Sequence, residues 1–196
     1  MPIVKLSLRH NFSLSGRVYT TAMRTLRSYL FLVVIFGVSL TQCLKTETAS
    51  PDDLNQTDRE FILAASLRNG AILQLADTAV AKTTDSAIKR LADTIGVDYS
   101  NLETDFTRLA NGLSFYFPDS LDAKQLAFKL RLDTLNGRIF DYVYIHQLVV
   151  EHDSAIASFN KQVAEGFNIK LKQFSTTWIP VLQRNRKTAD SIAKLY

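Results

Sequence analysis

The residues best suited to chemistry lie in one stretch of the chain, where Asp141, Tyr144 and His152 recur with Leu148, Ala155 and Phe159 at steps of three or four. That spacing puts all six on one face of a helix, and apart from the three polar groups the face is apolar. A carboxylate, a phenol and an imidazole turned toward a helical core are the raw material of metal sites and acid–base pairs. Asp141 and His152 are 11 residues apart, which is about 16 Å along a helix rising 1.5 Å per residue. They cannot touch or share one metal ion, so each needs a partner from another element.

Several chemistries are excluded by spacing. A ferritin-type dinuclear centre needs Glu-x-x-His pairs, because positions i and i+3 turn both ligands inward on one helix, and the chain contains none. His146 and His152 are six apart and point to different faces. There is no Gly-rich phosphate loop, no Gly-x-Ser-x-Gly elbow and no His-Glu-x-x-His pair. One Cys and three His rule out a disulfide framework and a Cys-rich zinc site. No catalytic residue, metal site or cofactor is therefore assigned. His152 is read as a buried imidazole satisfied by a carbonyl or carboxylate, with a weak claim as a metal ligand or acid–base group. Asp141 is read as a carboxylate favoured near a helix start by the dipole.

The one cysteine, Cys43, has the most informative surroundings. The chain of 196 residues carries 23 Lys+Arg and 19 Asp+Glu, a net charge of +4. Residues 1–43 contain Lys5, Arg9, Arg17, Arg24 and Arg27 and no acid, which leaves 18 basic against 19 acidic residues from Leu44 onward, a net of −1. The positive charge belongs to the leader, so nucleic acid is not an expected partner. Met23 opens a self-contained signal-peptide pattern: Arg24 and Arg27, then an 11-residue apolar run from Leu30 to Leu40. That run is short of the roughly 20 residues a spanning helix needs. Residues 1–22 are either a mis-assigned start or a long n-region. Leu40-Thr41-Gln42-Cys43 resembles the bacterial lipobox, in which the cysteine takes a diacylglycerol and becomes the mature N-terminus. Gln42 departs from the small residue usual before that cysteine. The competing reading is an uncut signal anchor. Residues 44–57 are polar and contain Pro51, as expected of a tether.

Positioning the chemistry requires helices, and residues 58–194 supply the pattern for them. Thr57 and Glu60 fit a capping box opening a first helix from Asp58 to about Ala81. Asp85 offers the next cap, and Ile88, Leu91, Ile95, Tyr99, Leu102, Phe106 and Leu109 form a second apolar seam, closed at Asn111-Gly112. A shorter helix is expected from Ser120 to Leu135, ended by Asn136-Gly137, a fourth from about Arg138 to Glu165, and a last from about Asn168 to Ala193, kinked or broken near Pro180. The predicted fold is all-α: an antiparallel four-helix bundle, ferritin-like, with one extra shorter helix and an N-terminal signal helix. The apolar loop Leu113–Phe117 reads as a plug over one end of the bundle, with a docking patch as the other reading. Arg184, Arg186 and Lys187 read as a solvated helical face.

Phe140-Asp141, Tyr144 and His152, followed by Trp178-Ile179-Pro180, resemble a bacterial family of unknown function whose members are often labelled outer-membrane proteins and assigned a ferritin-like bundle. The resemblance runs from about Asp58 to Ala193 and includes Phe61, Ala65, Ala92 and Asp98. Members commonly carry Glu where this chain has Ile72, His where it has Tyr99, and His where it has Asn185. Of four candidate inward ligands only His152 remains, so the resemblance implies the fold and the exported address and argues against a ferroxidase-like activity. The expectation is a non-catalytic lipoprotein of the bacterial cell envelope, in the outer membrane and facing the periplasm or the cell surface. Its partners are the membrane, through lipid on Cys43 or through the signal segment, and a protein of the envelope. The alternative is a ferritin-like metal or redox protein using His152 and Asp141.

Overall fold

The structure, a computed structural model, describes residues 53–116 and 121–196. The leader, Met23, Cys43 and the tether as far as residue 52 lie outside the described residues, as do residues 117–120 of the 113–117 loop and its continuation.

The described residues form five helices: α1 (Gln56–Lys82), α2 (Ser86–Gly112), α3 (Ala123–Asp133), α4 (Gly137–Glu165) and α5 (Ile169–Ala193). Each long helix buries the stripe that its apolar spacing announces. On α2 these are Ile88, Leu91, Ile95, Tyr99, Leu102 and Phe106, and on α4 Tyr144, Leu148, His152, Ala155 and Phe159. The stripes meet in one core with Phe61, Ile72, Leu171 and Leu182.

Side-chain contacts fix the helix directions. The start of α1 meets the end of α4 through Asp58 and Gln162, while Thr83, just past the end of α1, meets Asp141 near the start of α4. Phe106, late in α2, packs on Phe174, early in α5, and Asp85 at the start of α2 bonds Tyr196 beyond the end of α5. Neighbouring helices around the ring α1–α2–α5–α4 are therefore antiparallel. Because α2 ends at the opposite end of the bundle from where α4 begins, one long crossover must join them. That crossover carries α3 along the α1–α4 face, where Gln125 Nε2 donates to the Leu67 carbonyl. The all-α bundle with one shorter helix is thus as expected; the signal helix falls outside the described residues.

Three local expectations are corrected. The first helix starts at Gln56, and its capping box is Asn55 with Asp58 rather than Thr57 with Glu60: Asn55 Oδ1 accepts from Asp58 N at 2.8 Å and Asp58 Oδ2 accepts from Asn55 N at 2.9 Å. Both pairs fit the motif, but only Asp58 also bonds the α4–α5 turn. At its far end α2 ends at Gly112, as expected, and closes with a Schellman motif. The Phe115 and Ser114 amides donate to the Ala110 and Asn111 carbonyls, and Ser114 takes the left-handed position with φ 52°. Finally, α5 continues through Pro180 without a break. The amide missing at Pro180 would have served the Thr176 carbonyl, and both residues are exposed, so that carbonyl is left to water rather than buried. Gly137, expected to end the short helix, is instead the first residue of α4, with φ 55°.

Candidate functional site

The polar face of α4 is buried as read, and its members are held apart as the helical rise requires. Asp141 is 4% exposed, and its Oδ1 accepts from the Thr83 hydroxyl at 2.6 Å. Thr83 sits in the three-residue α1–α2 link, so this bond ties that link to α4. Tyr144 is fully buried and stacks on Phe140, with ring centroids 5.9 Å apart. Among the described residues its hydroxyl finds no hydrogen-bond partner, and burial pushes its pKa well above the usual phenol value.

His152 lies at mid-bundle with no solvent exposure. Its Nδ1 is 2.9 Å from the Leu148 carbonyl. A carbonyl only accepts, so Nδ1 carries the proton and Nε2 presents its lone pair to the core. The ring meets Tyr99 of α2 edge-on, with centroids 5.6 Å apart at 81°. Neither His152 Nε2 nor the Tyr99 hydroxyl has a hydrogen-bond partner among the described residues. Burial lowers the His152 pKa, against opposing pulls from the Leu148 bond and the Asp153 and Asp98 carboxylates. Burial likewise raises that of Tyr99. The centre is therefore a neutral imidazole against a neutral phenol.

Charged groups surround this neutral centre and are paired with one another. Arg68 of α1 bonds Glu151 of α4 at 3.0 Å, and Glu151 also accepts from Gln147. Asp98 of α2 accepts from Asn185 Nδ2 at 2.8 Å and pairs with Arg184 of α5. Arg186 pairs with Asp153 and Asp190, so two members of the basic cluster are engaged along the bundle surface. Of the positions where the resembling family commonly has Glu or His, Tyr99 meets His152, Ile72 is buried apolar core, and Asn185 is buried and turned to Asp98. Among the described residues no group of three His, Cys, Asp or Glu side chains is placed to hold a metal ion.

Two further features bear on function. A cavity of about 220 Å³ lies under the crossover, where Leu121 and Phe128 face Gln74, Leu75, Gln147 and Glu151. The 113–116 segment divides: Leu113 is buried, Phe115 packs partly on the core, and Tyr116 is 90% exposed. No described helix is long and apolar enough to cross a membrane.

The residue that sequence reasoning undervalued is Asp58. It is fully buried and accepts from Gln162 Nε2 at 2.6 Å, from the Phe167 amide at 3.1 Å and from the Asn168 amide at 3.1 Å, in addition to capping α1. The available signal was Asn55-x-x-Asp58, a capping pattern two residues ahead of the one at Thr57.

A family model described as "Domain of unknown function (DUF4142)" matches residues 43–192. Among solved structures, the crystal structure of a DUF305 fragment from Deinococcus radiodurans is similar in fold, with a TM-score of 0.65 at 10% sequence identity. The match covers 73% of this chain and 99% of that one. No curated protein matches.

Proposed function

Because the chain belongs to the DUF4142 family of domains of unknown function, we propose that it is an exported, lipid-anchored helical bundle of the bacterial cell envelope. In this reading it is an outer-membrane lipoprotein that acts through its surface, without catalysis, on an envelope partner or in envelope maintenance. The observation that carries it is where the family match begins: at residue 43, the cysteine at which the leader pattern places the processed N-terminus. The basic, apolar leader lies wholly outside the matched span. The core chemistry supports a non-catalytic role. Asp141 is bonded to Thr83, the ions around His152 are paired with one another, and the imidazole faces an aromatic ring instead of a second ligand.

Mass analysis of the mature N-terminus tests the anchor. The expected species begins at Cys43 and carries a diacylglyceryl and an N-acyl chain. An unmodified Cys43 still joined to residues 24–42 would replace the lipoprotein with a signal-anchored protein.

One observation favours a second reading, a ferritin-like metal or redox protein. The His152 Nε2 lone pair faces the core, in a four-helix bundle with the single long crossover found in ferritin-like folds. Metal analysis of the purified protein separates the two. Stoichiometric iron, manganese or zinc that disappears in His152→Ala would establish the metal reading in place of the non-catalytic one.

A further inference from the structure

The place where the chain joins the bundle is hydrogen-bonded to a turn that presents apolar side chains outward. Asn168 Nδ2 donates to the Asp53 carbonyl at 3.2 Å, and Asn55 Nδ2 donates to the Glu165 carbonyl at 3.1 Å. Asp58 completes the junction by accepting the Phe167 and Asn168 amides. The backbone of the α4–α5 turn is thus held against the first residues of the domain, yet Phe167 is 51% exposed and Ile169 53% exposed. Tyr116, beyond the end of α2 at this same end of the bundle, is 90% exposed.

We propose that this end of the bundle, led by Phe167 and Ile169, is a docking surface for the lipid bilayer. The inference rests on the lipid-anchored reading, which supplies the anchor at Cys43. Residues 44–52 then join lipid to domain. Nine residues span at most about 30 Å when extended, and about 15–18 Å as a flexible coil. Such a tether keeps the turn at an effective concentration in the millimolar range near the membrane. A small apolar contact suffices at that concentration, and its immobilisation cost is low because the Asp58 bonds already order the turn. Charge does not redirect the choice of occupant: Arg59, Lys161, Lys170 and Lys172 are balanced by Asp53, Asp58, Glu60 and Glu165 around this end. A neutral, apolar, pre-ordered tip beside the membrane attachment fits the bilayer interface better than a charged ligand.

The test uses the full chain purified from bacterial membranes and reconstituted in phosphatidylethanolamine–phosphatidylglycerol vesicles. An environment-sensitive dye is placed by Phe167→Cys or, separately, by Tyr142→Cys on the exposed flank of α4. Lipidated Cys43 has no free thiol, so labelling is selective, and the N-terminal peptide is weighed before labelling. The expected result is a blue-shifted emission at position 167, quenched several-fold more by brominated lipid than that at 142. A water-like signal at 167 on a chain with lipidated Cys43 overturns the docking surface and leaves the anchor standing. Preferential quenching at 142 also overturns it, because the bundle then lies on its side. An N-terminal peptide that carries an unmodified Cys43 removes the lipid anchor and, with it, the docking surface that rests on it.

Discussion

His152 is neutral in the folded protein because its burial outweighs the Leu148 bond and the pulls of the Asp153 and Asp98 carboxylates. Its folded pKa is lowered from 6.5, chiefly by loss of solvation, so the unfolded chain binds this proton more readily. The stability contributed by the neutral ring is full above pH 6.5 and is lost as the pH falls from there toward the lowered folded value. Each unit of that lowering corresponds to about 1.4 kcal/mol. Urea midpoints should therefore drop between about pH 7 and about pH 5, and His152→Leu should flatten that slope. The lowered carboxyls Asp85 and Asp190 start from 3.8 and lose their contribution only in more acid solution, as the pH falls from there toward their lowered folded values. Asp58 carries a different load. Asp58→Ala strands the Asn55, Phe167 and Asn168 backbone amides and the Gln162 side-chain amide, and should cost about 3 kcal/mol or more, read as a lower denaturation midpoint with unchanged helix content in the native state. Asp141 and His152 were legible in the sequence as inward groups because helical period alone sets the face of a residue. Asp58 was not, because its partners at Gln162, Phe167 and Asn168 are more than 100 positions away.

At the scale of elements, the turns decide more than the helices. Ser114 occupies the left-handed position of the motif closing α2, a conformation costing a non-glycine residue roughly 1 kcal/mol. Ser114→Gly should therefore raise stability by about that amount in equilibrium unfolding, since the motif's hydrogen bonds are backbone only. Gly166 behaves oppositely. A Cβ there would lie 2.5 Å from the Gln162 carbonyl oxygen and closer still to that residue's side-chain nitrogen. Gly166→Ala must displace Gln162, which itself bonds Asp58, and should destabilise by about 1–3 kcal/mol. The extent of the helices followed from apolar period and cap residues to within a few positions. The Thr57 cap failed because two nearby sequences satisfied the same local rule, and the tertiary bonds of Asp58 selected the other.

For the whole molecule, the single crossover is the organising fact. It makes α1 and α5 run parallel on one diagonal and brings both termini of the α4–α5 turn beside the point where the chain joins the bundle. Any anchor upstream of residue 53 thus acts on the end carrying Phe167. If the proposed lipid anchor holds, Cys43→Ser should leave a precursor that retains residues 24–42, seen as an increase in mass and altered membrane fractionation. The same topology surrounds His152 with four helices, so a metal bound there would draw ligands from α1, α2 and α5. Those elements present Ile72, Tyr99 and Asn185 at the positions where the resembling family commonly has Glu or His.

The sequence by itself determined the all-α class, the buried face of each long helix and the separation of a basic stretch over residues 1–43 from a nearly neutral remainder. These are properties of periodicity, caps and composition, which act over a few residues. Only the tertiary structure decided the helix directions, the bond from Thr83 to Asp141, the Tyr99 ring against His152 and the Asp58 junction. Each depends on which distant segments share a solvent-free interior, where a hydrogen bond left unmade is costly and long-range pairing outweighs local preference.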